Sequence, residues 1–315
     1  LVSNRGDLRR RLTDASNNGR TDLWRVAVHG FDQEPLRGQG AGTFQITWDR
    51  RKPRAIYTVN AHSLYLETMD ELGIVGLLLL LAAIVAALVG LALRARGSLR
   101  SLYGALFATA LVWALHAGVD WDWQMPVTTL FVFAIAGLAL GPREGAGPGW
   151  VPAHGTRLML GLMLLITLIS PVLMIGSQTR LSSAENALYA SNCAKAGPDA
   201  LSSIGWLDVR PEPYEVLGFC DLERRLPRMA VSAMGKAVHY DPTWETYYAL
   251  ALAQAAAGIN PRASADRALA MSPHEPLAIR AARLLQTSSS TAWVSRAAIL
   301  RAAALSSNDL SIRPS

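Results

Sequence analysis

The stretch that decides the fold is IVGLLLLLAAIVAALVGLAL, at residues 74–93, which contains no charged residue. Twenty helical residues at about 1.5 Å each match the roughly 30 Å hydrocarbon core of a bilayer. The composition agrees, because 51% of the 315 residues are hydrophobic and only 17% are charged, against about 25% charged in soluble domains. We therefore predict that this stretch is a membrane-spanning helix.

Three further apolar stretches follow, at residues 102–119, 127–140 and 158–175. His116 interrupts the first of them, and Pro171 lies near the end of the last. A proline is tolerated in a membrane helix where neighbouring groups satisfy the freed carbonyl. The sequence thus predicts an all-α, polytopic protein with about four membrane helices within residues 74–176.

The loops between these stretches predict an orientation in the cell membrane. Arg94, Arg96 and Arg100 separate the first two spans, and Arg143 and Arg157 flank the connection between the third and the fourth. Because short cytoplasmic loops are rich in arginine, residues 1–73 and the chain after about residue 176 are expected outside the cytoplasm. Residues 1–54 contain eleven basic and six acidic residues, and this excess indicates an anionic ligand.

The last third of the chain is alanine-rich and carries a repeat. Pro211, Pro242 and Pro273 lie 31 residues apart, each in a turn that is expected to open a helix. Residues 177–315 are therefore predicted to form a tetratricopeptide-like array of helix pairs, a surface that can bind a protein partner. Cys193 and Cys220 in this region either form a disulfide or are two small buried residues.

The segment before the first span contains a glycine-rich motif. Gly38, Gly40 and Gly42 alternate in PLRGQGAGTF, residues 35–44. Such a loop can turn its backbone amides toward phosphate oxygens, although most glycine-rich turns are only turns.

His62 is the most informative single residue of this segment. Asn60 or Ser63 can cap a helix that begins here, so the imidazole is expected at the positive end of a helix dipole, where the neutral form is favoured. A neutral imidazole can accept a proton; the alternative is a solvated loop histidine. Glu67 and Glu71 share one helix face and serve either as general acids or orienting groups, or as the polar end of the membrane helix.

Asp120 and Asp122 form the motif DWD, which resembles the DxD pattern that holds Mg²⁺ or Mn²⁺ in many glycosyltransferases. Two acids between tryptophans are more often a polar turn, so they are weak metal candidates. The sequence has no HExxH motif, CxxC pair, Walker loop or dinucleotide-binding fingerprint. We therefore expect neither a cofactor nor a nucleic-acid partner.

Three segments, taken in order, resemble the O-antigen ligase and O-antigen polymerase family. They are GR-x3-W at residues 19–24, P-L-x-G-x-G-x-G-x-F at residues 35–44, and AHSLYLE-x3-ELG at residues 61–73. The chain starts at Leu1 and lacks the block of membrane helices that precedes these segments in the family, so we expect a C-terminal fragment.

The resemblance implies a reaction. A glycan carried on undecaprenyl diphosphate is transferred, outside the cytoplasm, to a hydroxyl of an acceptor glycan, lipid or protein. His62 would be the base that activates the acceptor, and Arg20 would hold the diphosphate, with Arg25 and Arg37 as further candidates. Two alternatives to this enzyme are a polytopic solute transporter and a membrane-tethered scaffold that binds partners through its repeats.

Overall fold

The computed structural model describes residues 19–53, 56–141, 153–287 and 289–306. Regular structure in these ranges consists of thirteen α-helices and one 3-10 helix, without a β-strand, so the predicted all-α class is confirmed. The chain divides into two compact units, Leu1–Pro53 with Thr58–Gly149 and Arg54–Tyr57 with Trp150–Ser315. Arg143 and the basic residues before Gly19 lie outside the described ranges.

The described part of the first unit contains five α-helices and the 3-10 helix. They are α1 (Arg20–Gln33), α2 (Phe44–Arg51), α3 (Leu64–Arg94), α4 (Arg100–His116), the 3-10 helix (Asp122–Gln124) and α5 (Pro126–Leu140). A small apolar cluster joins α1 to α2, with Ala27, Phe44 and Trp48 almost completely buried. This packing fixes the N-terminal segment against the start of α3, which contributes Leu66 to the same cluster.

Helix α3 is broken at Gly73, where φ is 63° and ψ is −165°. An L-residue rarely adopts a positive φ, whereas glycine does so without steric cost. The N-terminal part of the helix, residues 64–72, contains three acidic residues, and the uncharged stretch begins at Ile74. The break therefore separates the membrane span from the segment that carries the two glutamates.

The glycine-rich loop fills this break with backbone hydrogen bonds. Ile74 donates its amide to the Pro35 carbonyl at 2.8 Å, while the Gln39 and Gly40 amides donate to the carbonyls of Asp70 and Glu71 at 2.8 and 2.9 Å. The loop thus satisfies backbone groups that a continuous helix would pair internally.

The backbones of the loop and of α3 approach very closely at two glycines. A Cβ atom on Gly38 would lie 2.3 Å from the Glu71 carbonyl group, and one on Gly73 would lie 2.6 Å from the Leu36 carbonyl group. Any side chain at either position would therefore push the loop out of the break.

Within the described ranges, two helices are long and apolar enough to cross a membrane, α3 and α6 (His154–Tyr189). The predicted stretches at 102–119 and 127–140 are also helical, but as α4 with 17 residues and α5 with 15, both short for a hydrocarbon core of about 30 Å. They pack on α3 through a buried cluster that includes Leu91, Ala110 and Ile135. The number of spans and their orientation remain predictions.

The second unit continues from α6 through seven more helices. They are α7 (Cys193–Trp206), α8 (Glu212–Glu223), α9 (Pro227–Tyr240), α10 (Trp244–Ala256), α11 (Arg262–Met271), α12 (Pro276–Leu285) and α13 (Ser290–Ser306). The last six form three successive pairs whose first helices begin 32 residues apart, and each pair begins within three residues of Pro211, Pro242 or Pro273. The tetratricopeptide likeness of these pairs and the predicted three-part division at residues 73 and 176 remain predictions.

Cys193 and Cys220 form a disulfide, with their Cα atoms 5.3 Å apart. Both residues are also buried, in the core shared by α6 to α13. The structure therefore combines the two alternatives that the sequence left open.

Candidate functional site

Three side chains that are far apart in sequence meet in the first unit. Arg20 is the first residue of α1, His62 precedes α3, and Asp120 lies in the turn between α4 and the 3-10 helix. One Arg20 guanidinium nitrogen lies 2.9 Å from Asp120 Oδ2, and His62 Nδ1 lies 3.7 Å from Asp120 Oδ1. Each side chain is 27–30% exposed, so the group is half-buried and reachable by a ligand.

His62 occupies an unusual backbone conformation. Its φ is 52°, a left-handed value that is uncommon outside glycine and costly enough to need surrounding support. Ser63 follows as the N-cap of α3 and accepts a hydrogen bond from the Leu66 amide at 3.4 Å. The prediction that His62 lies at or before the first turn of a helix is therefore confirmed.

Arg20 lies at the positive end of the α1 dipole, which is an unfavourable place for a cation. Its ion pair with Asp120 offsets that cost, and the Trp121 amide donates a further hydrogen bond to Asp120 Oδ1 at 2.8 Å. The carboxylate thus lies between a guanidinium and an imidazole, both of which it can orient.

The site favours a neutral imidazole and an ionised aspartate. Partial burial and then the Arg20 charge lower the pKa of His62, and they outweigh the raising effect of Asp120. Burial opposes ionisation of Asp120, but the Trp121 amide, Arg20 and His62 together lower its pKa. A neutral imidazole beside a fixed cation can accept a proton while an anionic group is held nearby.

Glu67 is an orienting group for the backbone before His62. It is 6% exposed and accepts hydrogen bonds from the Ala61 amide and from Gln124 Nε2, both at 2.8 Å. Burial raises the pKa of Glu67 to about 7, and the nearby charge of Glu71 acts in the same direction. The two hydrogen bonds oppose this shift, because they stabilise the ionised carboxylate. The carboxyl group therefore ties the His62 turn to the 3-10 helix.

Glu71 and Asp70 support the loop rather than the histidine. Glu71 Oε1 accepts the Phe44 amide at 3.1 Å, which places a carboxylate at the N-terminus of α2, where it is stabilising. Asp70 is fully buried, and neither carboxyl oxygen has a hydrogen-bond partner among the described residues. Burial and the Glu71 charge raise its pKa to about 7, against the opposing effect of Arg51.

The glycine motif has a different local role from the predicted phosphate cradle. The Gly38 and Gly40 amides donate to the carbonyls of Glu34 and Glu71, so these donors are already used inside the protein. Gly42 also has a positive φ, and a Cβ atom added there would meet nothing within 4 Å.

The two other candidate arginines lie apart from the cluster. Arg25 is 75% exposed and pairs with Asp22, and Arg37 is exposed in the loop. Over residues 19–53 and 56–141, neither forms an ion pair or hydrogen bond with His62 or Asp120.

The two aspartates of the DWD motif have separate partners. Asp120 faces Arg20 and His62, whereas Asp122 lies 3.1 Å from His116 Nδ1 in an exposed pair. In the part of the chain that the structure describes, no three His, Cys, Asp or Glu side chains come together as a metal site would require. Each aspartate of the motif therefore faces a different histidine, Asp120 facing His62 and Asp122 facing His116.

Sequence reasoning did not find Asn60 and Gln124 as site residues. Gln124 accepts a hydrogen bond from Asn60 Nδ2 at 3.4 Å and donates to Glu67. These partners are 64 and 57 residues from Gln124 in sequence. No local spacing rule could connect them.

The described residues form a helical protein with a histidine, arginine and aspartate cluster beside the N-terminal end of an apolar helix that is long enough to cross a membrane. A family model described as O-antigen ligase matches residues 2–81, the segment that holds Arg20, His62 and Glu67. Residues 2–81 thus match an O-antigen ligase domain, which supports membership of this chain in that family. No curated protein and no solved structure matches the chain.

Proposed function

We propose that this chain transfers a polysaccharide from undecaprenyl diphosphate to an acceptor hydroxyl outside the cytoplasm. The observation that carries the proposal is the meeting of Arg20, His62 and Asp120 beside a membrane span, with two of the three inside the O-antigen ligase match. A base and a phosphate-binding cation are the two groups that such a transfer requires.

His62 acts as the base in this reaction. Its Nδ1 faces Asp120, so Nε2 is the nitrogen that takes the proton from the acceptor hydroxyl. The acceptor oxygen then bonds to the anomeric carbon from the face opposite the leaving group, as the bond from that carbon to the phosphate oxygen breaks. The product is a glycoside of inverted configuration and undecaprenyl diphosphate.

Arg20 stabilises the charge that develops on the diphosphate. A guanidinium presents several N–H donors in a planar fork that matches phosphate oxygens. One nitrogen is already fixed by Asp120 at 2.9 Å, which holds the group in place while other donors face the ligand. Asp120 is thus the positioning residue for both His62 and Arg20. Arg25 and Arg37 attract the negatively charged diphosphate from a longer distance.

An extracytoplasmic location for the second unit agrees with its chemistry. Disulfides form and persist in oxidising compartments and are rare in the cytosol, and Cys193 and Cys220 are bonded. With α6 as a span, this location agrees with the orientation that the arginine-rich loops predict.

The proposal is tested by His62→Ala in the full chain, reconstituted with an undecaprenyl-diphosphate-linked glycan and assayed by release of undecaprenyl diphosphate. Removal of a general base is expected to slow transfer by about 10² to 10⁴. His29→Ala is the matched control, because His29 is exposed on α1. Equal rates for the His62 variant, the control and the unmodified chain would refute the catalytic assignment. Flux of a free solute through these liposomes without lipid-linked sugar would favour a transporter.

A further inference from the structure

Trp121 is an exposed aromatic residue in contact with the candidate base. Its ring centroid lies 6.5 Å from that of His62, and the two planes meet at 80°. The residue is 38% exposed, so a ligand can reach the indole. A ligand whose hydroxyl reaches His62 therefore meets the indole as well.

The backbone of Trp121 is held at both ends. Its amide donates to Asp120 Oδ1 at 2.8 Å, and its carbonyl accepts from the Gln124 amide at 3.0 Å. Asp120 is also the partner of Arg20. The indole is therefore attached to the same framework that orients the base and the cation, which is what a positioning residue requires.

Two neighbouring tryptophans are placed differently. Trp113 and Trp123 have buried indole nitrogens that lack a hydrogen-bond partner among the described residues. Tryptophans near a span commonly act as interfacial anchors, and that role remains open to these two. Trp121 is set apart by its contact with the imidazole, which a lipid anchor does not require.

The surroundings of Trp121 suit a sugar better than a hydrocarbon chain. Asn60 is 7% exposed, and its Oδ1 atom is buried without a hydrogen-bond partner in the described ranges. The side-chain nitrogen of Asn60, Nδ2, donates a hydrogen bond to Gln124 Oε1. The backbone amide of Gln124 donates in turn to the Trp121 carbonyl. The polar groups that a ligand can reach beside the indole are the half-buried Arg20, His62 and Asp120. A pyranose offers hydroxyls to these groups and a face of polarised C–H groups to the electron-rich face of the indole.

We propose that Trp121 is the stacking residue for the acceptor sugar and sets which sugar ring presents its hydroxyl to His62. The inference rests on the proposed transferase function and names the acceptor class as a pyranoside with an open C–H face. Trp121 is here a specificity-determining residue that touches the substrate without taking part in proton transfer.

Binding without turnover provides the first test. Saturation-transfer NMR is recorded on the full chain in detergent with the methyl glycosides of glucose and galactose. We expect transfer to the C–H protons of one glycoside with the unmodified chain and with Trp121→Phe, and its loss with Trp121→Leu. Trp123→Leu is the matched control and should keep the signal. Loss of signal in the control to the same extent as in Trp121→Leu, or no signal from the unmodified chain with either glycoside, would overturn the proposal.

Kinetics provide the second test and separate stacking from a membrane role. Trp121→Leu is expected to raise the acceptor KM by about threefold to tenfold, while kcat stays within about twofold and Trp121→Phe restores the lower KM. An unchanged KM together with easier extraction from membranes would make Trp121 an interfacial anchor and overturn the proposal. Glycoside binding that depends on Trp121 in a chain without transfer would support this inference and refute the proposed function.

Discussion

Replacing Gly38 by alanine tests whether the glycine-rich loop exists to enter the break in α3. Gly38 has a φ of 71°, and its new Cβ atom would lie 2.3 Å from the Glu71 carbonyl carbon and oxygen and 2.4 Å from the Leu72 amide nitrogen. The left-handed conformation costs an L-residue about 1–2 kcal/mol. The contacts are more than 1 Å shorter than van der Waals distance, which is about 3.5–4.0 Å.

The clash can be relieved only if the loop moves away from α3. That movement breaks the hydrogen bonds from the Gln39 and Gly40 amides, at about 1 kcal/mol each. The total cost is then about 3–4 kcal/mol. Gly42 is the matched control, because its φ is 73° but a Cβ atom there would meet nothing within 4 Å. Gly42→Ala should cost only the conformational term, about 1–2 kcal/mol.

Hydrogen exchange on peptides that cover residues 35–43 and 70–76 measures this difference locally. Gly38→Ala should lower amide protection by about two to three orders of magnitude, and Gly42→Ala by about one, since each tenfold step corresponds to about 1.4 kcal/mol. Equal losses of protection in the two variants would refute the reasoning, because only the docked loop distinguishes the two glycines.

Three further predictions concern charge and covalent structure. Asp120→Asn should slow transfer and move the acid limb of the pH–rate profile to lower pH, because Asp120 raises the pKa of His62; an unmoved limb would contradict this. For Asp70, the folded-state pKa of about 7 exceeds the ordinary 3.8, so local stability falls as pH rises between these values. Asp70→Asn should abolish that fall, so at pH 8 its local stability in exchange experiments should exceed that of the unmodified chain by about 4 kcal/mol; an unchanged pH dependence in Asp70→Asn would contradict this prediction. Cys193→Ala should cost the second unit about 3–4 kcal/mol in thermal or denaturant unfolding, and dithiothreitol should destabilise only the unmodified chain.

Local patterns in the sequence predicted the parts of the structure that depend on neighbouring residues. The start of α3 followed from Ser63 and the positions after it, because an N-cap satisfies amides two or three residues on. The all-α class followed from uninterrupted apolar stretches and from helix-opening prolines. Each of these depends on contacts within one or two helical turns.

The parts that sequence could not predict depend on distant contacts. Arg20 and Asp120 are 100 residues apart, and from its sequence neighbours alone Asp120 was a polar-turn residue or a weak metal candidate. The glycine motif indicated phosphate binding because its real acceptors, the carbonyls of Asp70 and Glu71, are released only by the break at Gly73. Backbone breaks of this kind leave no spacing pattern that a single sequence can show.

The loop that enters α3 forms backbone hydrogen bonds on both sides of Gly73. It pairs with Ile74 on the C-terminal side of the break and with Asp70 and Glu71 on the N-terminal side. The angle between the two parts of the helix is therefore fixed rather than free. A span that tilts to match a thinner or thicker bilayer consequently carries residues 64–72 with it, and with them Glu67 and the turn that holds His62. If the chain carries out the proposed transfer, its rate is therefore expected to depend on the acyl-chain length of the surrounding lipid.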